Sequence, residues 1–187
     1  MNNKKAKKQK TDSYLVFNLQ DEAFAINVGK VLSILEMQKV TTVPESPDYM
    51  KGVINLRGNV IPIIDSHVKF NLEPISISMK TNILVLEIGR QKKKALKLGF
   101  LVDKVNEVIQ IPDKKILPPP GIGDIYQSRY ITGVFQKDKN TFIMLLDIEK
   151  ALSIKEITSL KEVAENENVN DDENEKNEKL TEVENAT

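Results

Sequence analysis

Cysteine and tryptophan are absent from these 187 residues, and histidine occurs once, at His67. Without cysteine there is no disulfide framework, no thiolate metal site, no CxxC redox pair and no cysteine nucleophile, which suits a reducing cytoplasm. A single imidazole excludes any site built on two. Acid–base chemistry would fall to carboxylates, lysines or tyrosines, whose ordinary pKa values lie further from neutrality. No apolar run approaches the ~18 residues of a spanning helix, and none follows the charged start to make a secretory signal. The expectation is a cytoplasmic chain that is not an enzyme, needs no cofactor or metal and does not insert in a membrane.

Charge is plentiful and unevenly placed. Residues 1–10 carry five lysines and no acid, residues 11–154 carry 18 basic and 16 acidic groups, and residues 155–187 carry 4 basic and 11 acidic groups. The near-neutral body offers no strong field for nucleic acid or an anionic surface. Residues 1–12 are expected to be a disordered basic N-terminus and 166–187 a disordered acidic tail, because neither has the apolar surface to offset ordering. Just before that tail, Ser153 and Glu156 suit a capping box, and Ile154, Ile157, Leu160 and Val163 recur at helical spacing. A helix over 154–165 follows.

From Ser13 to Leu152 the apolar residues come in short β-branched and aromatic runs bounded by Gly, Pro, Asn and Asp. Leu15–Leu19 and Phe24–Val28 flank a turn, and similar runs occur at 31–37, 52–57, 60–64, 82–88, 96–102, 105–111, 130–135 and 141–146. Ten short strands at this spacing predict a mainly β fold of barrels or sandwiches. The chain is also duplicated. Leu15-Val16-Phe17 matches Leu84-Val85-Leu86, Val28-Gly29-Lys30-Val31 matches Val102-Asp103-Lys104-Val105, and Tyr49-Met50-Lys51-Gly52-Val53 matches Tyr130-Ile131-Thr132-Gly133-Val134. Each half ends on an apolar run and an aspartate, Asp65 or Asp147, expected to cap the helical turn after it. Two half-domains of about five strands follow, approximately 13–76 and 81–152. Units this small gain by packing together, by exchanging strands or otherwise. The groove between them is the expected docking place for a partner's helix or strand.

The densest segment runs from Met50 to Asp65. Two strands flank Arg57-Gly58-Asn59, where Gly58 can supply the positive φ of a tight hairpin. Arg57 then sits at a rigid turn, either as an ordinary solvated arginine or as a recognition tip whose planar fork of donors suits an interface. His67 is expected at the surface as the start of a short turn. Asp65 and Asp147 lack the companion residues of a catalytic pair. The Pro118–Asp124 segment reads as a stiff connector rather than a phosphate cradle, since its prolines remove amide donors. Arg90–Lys94 reads as a solvated basic hairpin tip, with no aromatic for base stacking.

The Lys51-Gly52-Val53-Ile54-Asn55-Leu56-Arg57-Gly58 block, followed by Pro62-Ile63-Ile64-Asp65, closely resembles the signature of the CheW adaptors of bacterial chemotaxis. The Leu98–Val108 segment, Tyr130-Ile131-Thr132-Gly133-Val134 and the Leu146–Leu152 segment resemble that family's later blocks, so the likeness covers residues 13–153. It implies two SH3-like five-stranded β-barrels with a C-terminal helix. It also implies a non-catalytic scaffold, monomeric when free, joining the cytoplasmic tips of methyl-accepting chemoreceptors to the regulatory domain of the CheA histidine kinase, at receptor arrays. By matching positions, Arg57 is the receptor-proximal arginine, and Val31, Gly52, Asn55, Leu56 and Gly58 lie near receptor or kinase contacts. The family often carries a glutamate that partners this arginine. Here that position is Ser33, with Glu36 the candidate substitute. The rival expectation from the residues alone is a nucleic-acid-binding small-barrel protein.

Overall fold

The computed structural model describes residues 10–89, 95–119 and 130–165. Residues 1–9 of the basic N-terminus, the acidic tail, the Arg90–Lys94 tip and most of the Pro118–Asp124 connector lie outside the described residues, while Thr11 and Asp12, expected in the N-terminal tail, begin a strand paired with residues 111–112.

The described chain is mainly β. Strands β1 (Thr11–Leu19) and β2 (Glu22–Asn27) form a hairpin, and a 3-10 turn over Val28–Lys30 leads to β3 (Val31–Glu36). Then come β4 (Met50–Leu56), β5 (Asn59–Asp65), a one-turn helix α1 (Ser66–Lys69), β6 (Asn82–Ile88), β7 (Leu96–Val102) and β8 (Lys104–Pro112). After these follow β9 (Ile116–Leu117), β10 (Ile131–Gln136), β11 (Phe142–Leu146), the one-turn α2 (Ile148–Ala151) and a C-terminal helix, α3, over 154–165. All ten strands expected from the sequence are present. The two-residue β9 is additional. None of the described helices is long and apolar enough to cross a membrane.

The strands form two sheets, β8-β1-β2-β11-β10-β9 and β3-β6-β7-β5-β4. The duplication is written into these orders. Reading the first five strands of one sheet beside the other matches β8 to β3, β1 to β6, β2 to β7, β11 to β5 and β10 to β4. Each sheet has one parallel pair at the same place, β11 with β2 and β5 with β7. Sheet membership nevertheless cuts across the sequence halves 13–76 and 81–152. Hairpin β1–β2 joins strands of the second half, and hairpin β6–β7 joins strands of the first. After β6–β7 the shortness of the link explains this. Asp103 alone separates β7 from β8, fewer than the two residues a hairpin turn needs, so the chain continues into the other sheet.

The glycines shared by the two halves mark a common packing device. Gly52 has φ of 140°, and a Cβ on it would lie 2.1 Å from the Thr41 carbonyl oxygen, because Thr41 bridges across β4 to Val53. In the other half a Cβ on Gly133 would lie 2.4 Å from Ile116 Cγ2, where β9 crosses β10. Only glycine permits these close approaches.

Between the sheets the space is filled. One apolar cluster takes Leu15, Phe17 and Ile26 from the first sheet and Leu84, Leu86 and Phe100 from the second. Phe17 meets Phe100 edge-on, Phe70 meets Phe100, and Phe70 stacks on Tyr130 at 4.5 Å between ring centroids. Smaller clusters lie within each sheet, one around Ile54, Ile61 and Val85 and another around Val16, Ala25 and Ile143. The expected docking groove between the halves is thus occupied by a shared core. Helix α3 seals it with Ile157, Leu160 and Val163.

Candidate functional site

The tip of hairpin β4–β5 is a two-residue turn in which Leu56 pairs with Asn59. Both central residues are left-handed, Arg57 at φ 54° and Gly58 at φ 76°. A primed turn of this kind matches strand twist and favours Asn or Gly at its first position. An arginine there carries about 1–2 kcal/mol of backbone strain. The turn is braced by Asn55, whose Oδ1 accepts from the Gly58 amide at 2.9 Å, and by Asn59, whose Nδ2 donates to the Arg57 carbonyl at 3.2 Å. A Cβ on Gly58 would meet nothing within 4 Å. The guanidinium therefore stands on a stiff, open tip, and among the described residues no carboxylate pairs with it.

Beside this tip lies an open groove of about 350 Å³, lined by Leu32, Ser33 and Leu35 of β3, Leu56, Arg57, Asn59 and Ile61 of the β4–β5 hairpin, Val85 of β6 and Lys97 of β7. Its floor, Ile61 and Val85, belongs to the cluster inside the second sheet. The two edge strands of that sheet, β3 and β4, thus border one depression, whose charged lining among the described residues is Arg57 and Lys97. On β3 a register shift between Val31 and Ser33 interrupts the regular pairing with β6. Leu32, which lines the groove, remains 48% exposed.

Of the residues singled out from the sequence, Leu56 and Arg57 line the groove, and Asn55 and Gly58 shape its tip. The others are elsewhere. Gly52 is buried under Thr41, and Val31 packs against the shared core. Ser33 does lie in the groove with Arg57. Glu36 does not, because alternation along β3 turns it to the side opposite Ser33 and Leu35. Leu32, Leu35, Ile61, Val85 and Lys97 were missed. They come from strands far apart in sequence, and only the sheet order brings them together.

One further expectation changes and one holds. His67 is 5% exposed, not a surface residue; its Nδ1 lies 2.9 Å from the Glu73 carbonyl oxygen and its Nε2 lies 2.8 Å from Asp103 Oδ2. Asp103 sits in the one-residue link between the sheets, so a sequence-distant carboxylate draws the imidazole inward. The two aspartates behave as caps. Asp65 Oδ1 accepts from the His67 and Val68 amides and its Oδ2 from the Ile75 amide, while Asp147 accepts from the Glu149 amide. Asp65 is thus filled by backbone donors, and Asp147 also lies 3.4 Å from the Lys150 ammonium.

A second depression of about 220 Å³ lies at the end of the first sheet, between Tyr14, Ile26 and Asn27 on one side and Leu146, Asp147 and Ile148 on the other. The ion pair of Lys30 and Glu149 lines it. The first depression contains no aromatic side chain for base stacking and the second only Tyr14, so neither offers the successive aromatic faces of a single-strand platform. The nucleic-acid alternative finds no support.

Comparison with known proteins agrees with this geometry. The family model of the CheW-like domain matches residues 13–156. The chemotaxis protein CheW of Klebsiella aerogenes is 36% identical over 140 residues, covering 75% of this chain and 81% of that protein. The probable chemotaxis protein CheW of Rhizobium etli is 32% identical over 139 residues, covering 74% and 86%. Among solved structures, the scaffolding protein TtCheW from Thermoanaerobacter tengcongensis superposes with a TM-score of 0.67 at 28% identity, covering 78% of this chain and 90% of that one.

Proposed function

The chain belongs to the CheW-like domain family and is a chemotaxis adaptor, and from that premise we propose that it joins chemoreceptor cytoplasmic tips to the regulatory domain of the CheA histidine kinase. The work is spatial. Two binding faces on one rigid body raise the kinase's effective concentration at the receptor and let receptor conformation bias kinase activity. No bond is made or broken by the chain itself.

The observation that carries this reading is the Arg57 tip. An arginine held at a left-handed turn position beside an apolar groove, with no ion pair among the described residues, fits recognition of another protein. Leu32, Leu35 and Leu56 supply apolar contact, and Arg57 fixes the register of the bound element. Co-purification with a chemoreceptor cytoplasmic fragment tests it. Arg57→Glu should lose at least tenfold in retention, about 1.4 kcal/mol or more, with an unchanged circular-dichroism spectrum. Wild-type retention by Arg57→Glu would remove the assignment.

A further inference from the structure

We infer that the groove recognises an acidic amphipathic segment, and that Lys97 is a second specificity residue acting beside Arg57; this rests on the groove being the partner face proposed above. Five of the groove's lining side chains are apolar, Ser33 and Asn59 are neutral, and the two charged residues are both cations. Among the described residues no carboxylate lines the depression. The position where the family often places an acid holds Ser33, whose hydroxyl cannot neutralise Arg57.

Nor does the rest of the described structure neutralise them. Neither Arg57 nor Lys97 takes part in an ion pair among the described residues. Glu87 stands directly opposite Lys97 in the β6–β7 register without pairing with it, and Glu36 points away on the other side of β3. Lys97 is exposed at the end of β7 that opens over Ile61 and Val85. A partner that buried its apolar stripe on Leu32, Leu35 and Leu56 would bring its flanking side chains against these two cations. Neutral or basic flanks would leave both charges partly desolvated without a counter-ion. Carboxylates would meet them with charge-assisted hydrogen bonds.

The test uses the full chain and a chemoreceptor cytoplasmic-tip fragment as probe, with a second fragment whose acidic residues are replaced by their amides. Affinity is read by titration calorimetry at about 0.05 M and about 0.3 M salt. Lys97→Ala should weaken binding about fivefold and Lys97→Glu about thirtyfold. Glu87→Gln, which removes the carboxylate opposite Lys97 in the β6–β7 register and so its repulsion of an acidic partner, should tighten it. With the amide fragment, Lys97→Glu and wild type should bind within about twofold of each other. Wild-type affinity for Lys97→Glu, or an equal loss on both fragments, overturns the inference and leaves the receptor reading standing. Failure of the wild-type chain to bind either fragment overturns both.

Discussion

Single residues in this chain divide into those that let the backbone pass and those that face outward. Gly52 and Gly58 show the difference within one hairpin. At Gly52 a methyl group would collide with the Thr41 carbonyl at 2.1 Å, whereas at Gly58 it would meet open space. Gly52→Ala should therefore cost about 3 kcal/mol or more, combining strain at positive φ with a backbone clash, and Gly58→Ala about 1 kcal/mol from φ alone. Denaturant melts of the two variants check this, and equal losses would contradict the close approach. Both glycines stood in the block that resembled the family signature. Their separate reasons were not legible there, since Thr41 lies eleven residues before Gly52 and nothing in the pattern marks it as the neighbour.

At the scale of elements, α3 is the piece whose docking depends most on charge. Glu156 closes a capping box, its Oε2 accepting from the Ser153 amide at 2.7 Å while its own amide donates to Ser153 Oγ. The same carboxylate pairs with Lys69 of α1, whose ammonium also lies 4.8 Å from the centre of the Tyr49 ring. Burial tends to raise the Glu156 pKa, but the hydrogen bonds from Lys69 and Ser153 outweigh it and hold the carboxyl below its ordinary value. Burial, with the Glu156 carboxylate adding to it, pushes the Tyr49 phenol up to about 12. Because the folded-state pKa of Glu156 is depressed, its stabilisation is present above the unfolded value near 4.5 and is lost as pH falls through the folded value. Glu156→Gln should lower stability by about 1–2 kcal/mol at neutral pH, and the gap to wild type should close in acid. A gap independent of pH would contradict the ion-pair account. The capping box was legible from Ser153 and Glu156 alone; the pairing with Lys69 was not, because α1 and α3 are 84 residues apart.

For the whole molecule, the repeated motifs carried the architecture. Val28-Gly29-Lys30-Val31 and Val102-Asp103-Lys104-Val105 are the links by which each hairpin hands the chain to the other sheet, and their likeness made the duplication visible. What the repeats did not reveal is that Phe17, Phe70, Phe100 and Tyr130 fill the space between the sheets, which moves the candidate docking groove from that junction to the second sheet's own edge. Burial of His67 against Asp103 escaped for the same reason, since the contact exists only once the sheets have packed. Two sheets on one core make a body stiff enough to hold two partners at a set distance, which is what a scaffold must do.

That bridging role is tested most directly by sedimentation of receptor-bearing vesicles with CheA in the presence and absence of this chain. The account predicts that CheA pellets with the vesicles when the wild-type chain is added, pellets several-fold less with Arg57→Glu, and stays in the supernatant without either. CheA that pelleted equally without the chain, or a chain that pelleted without carrying CheA, would contradict it.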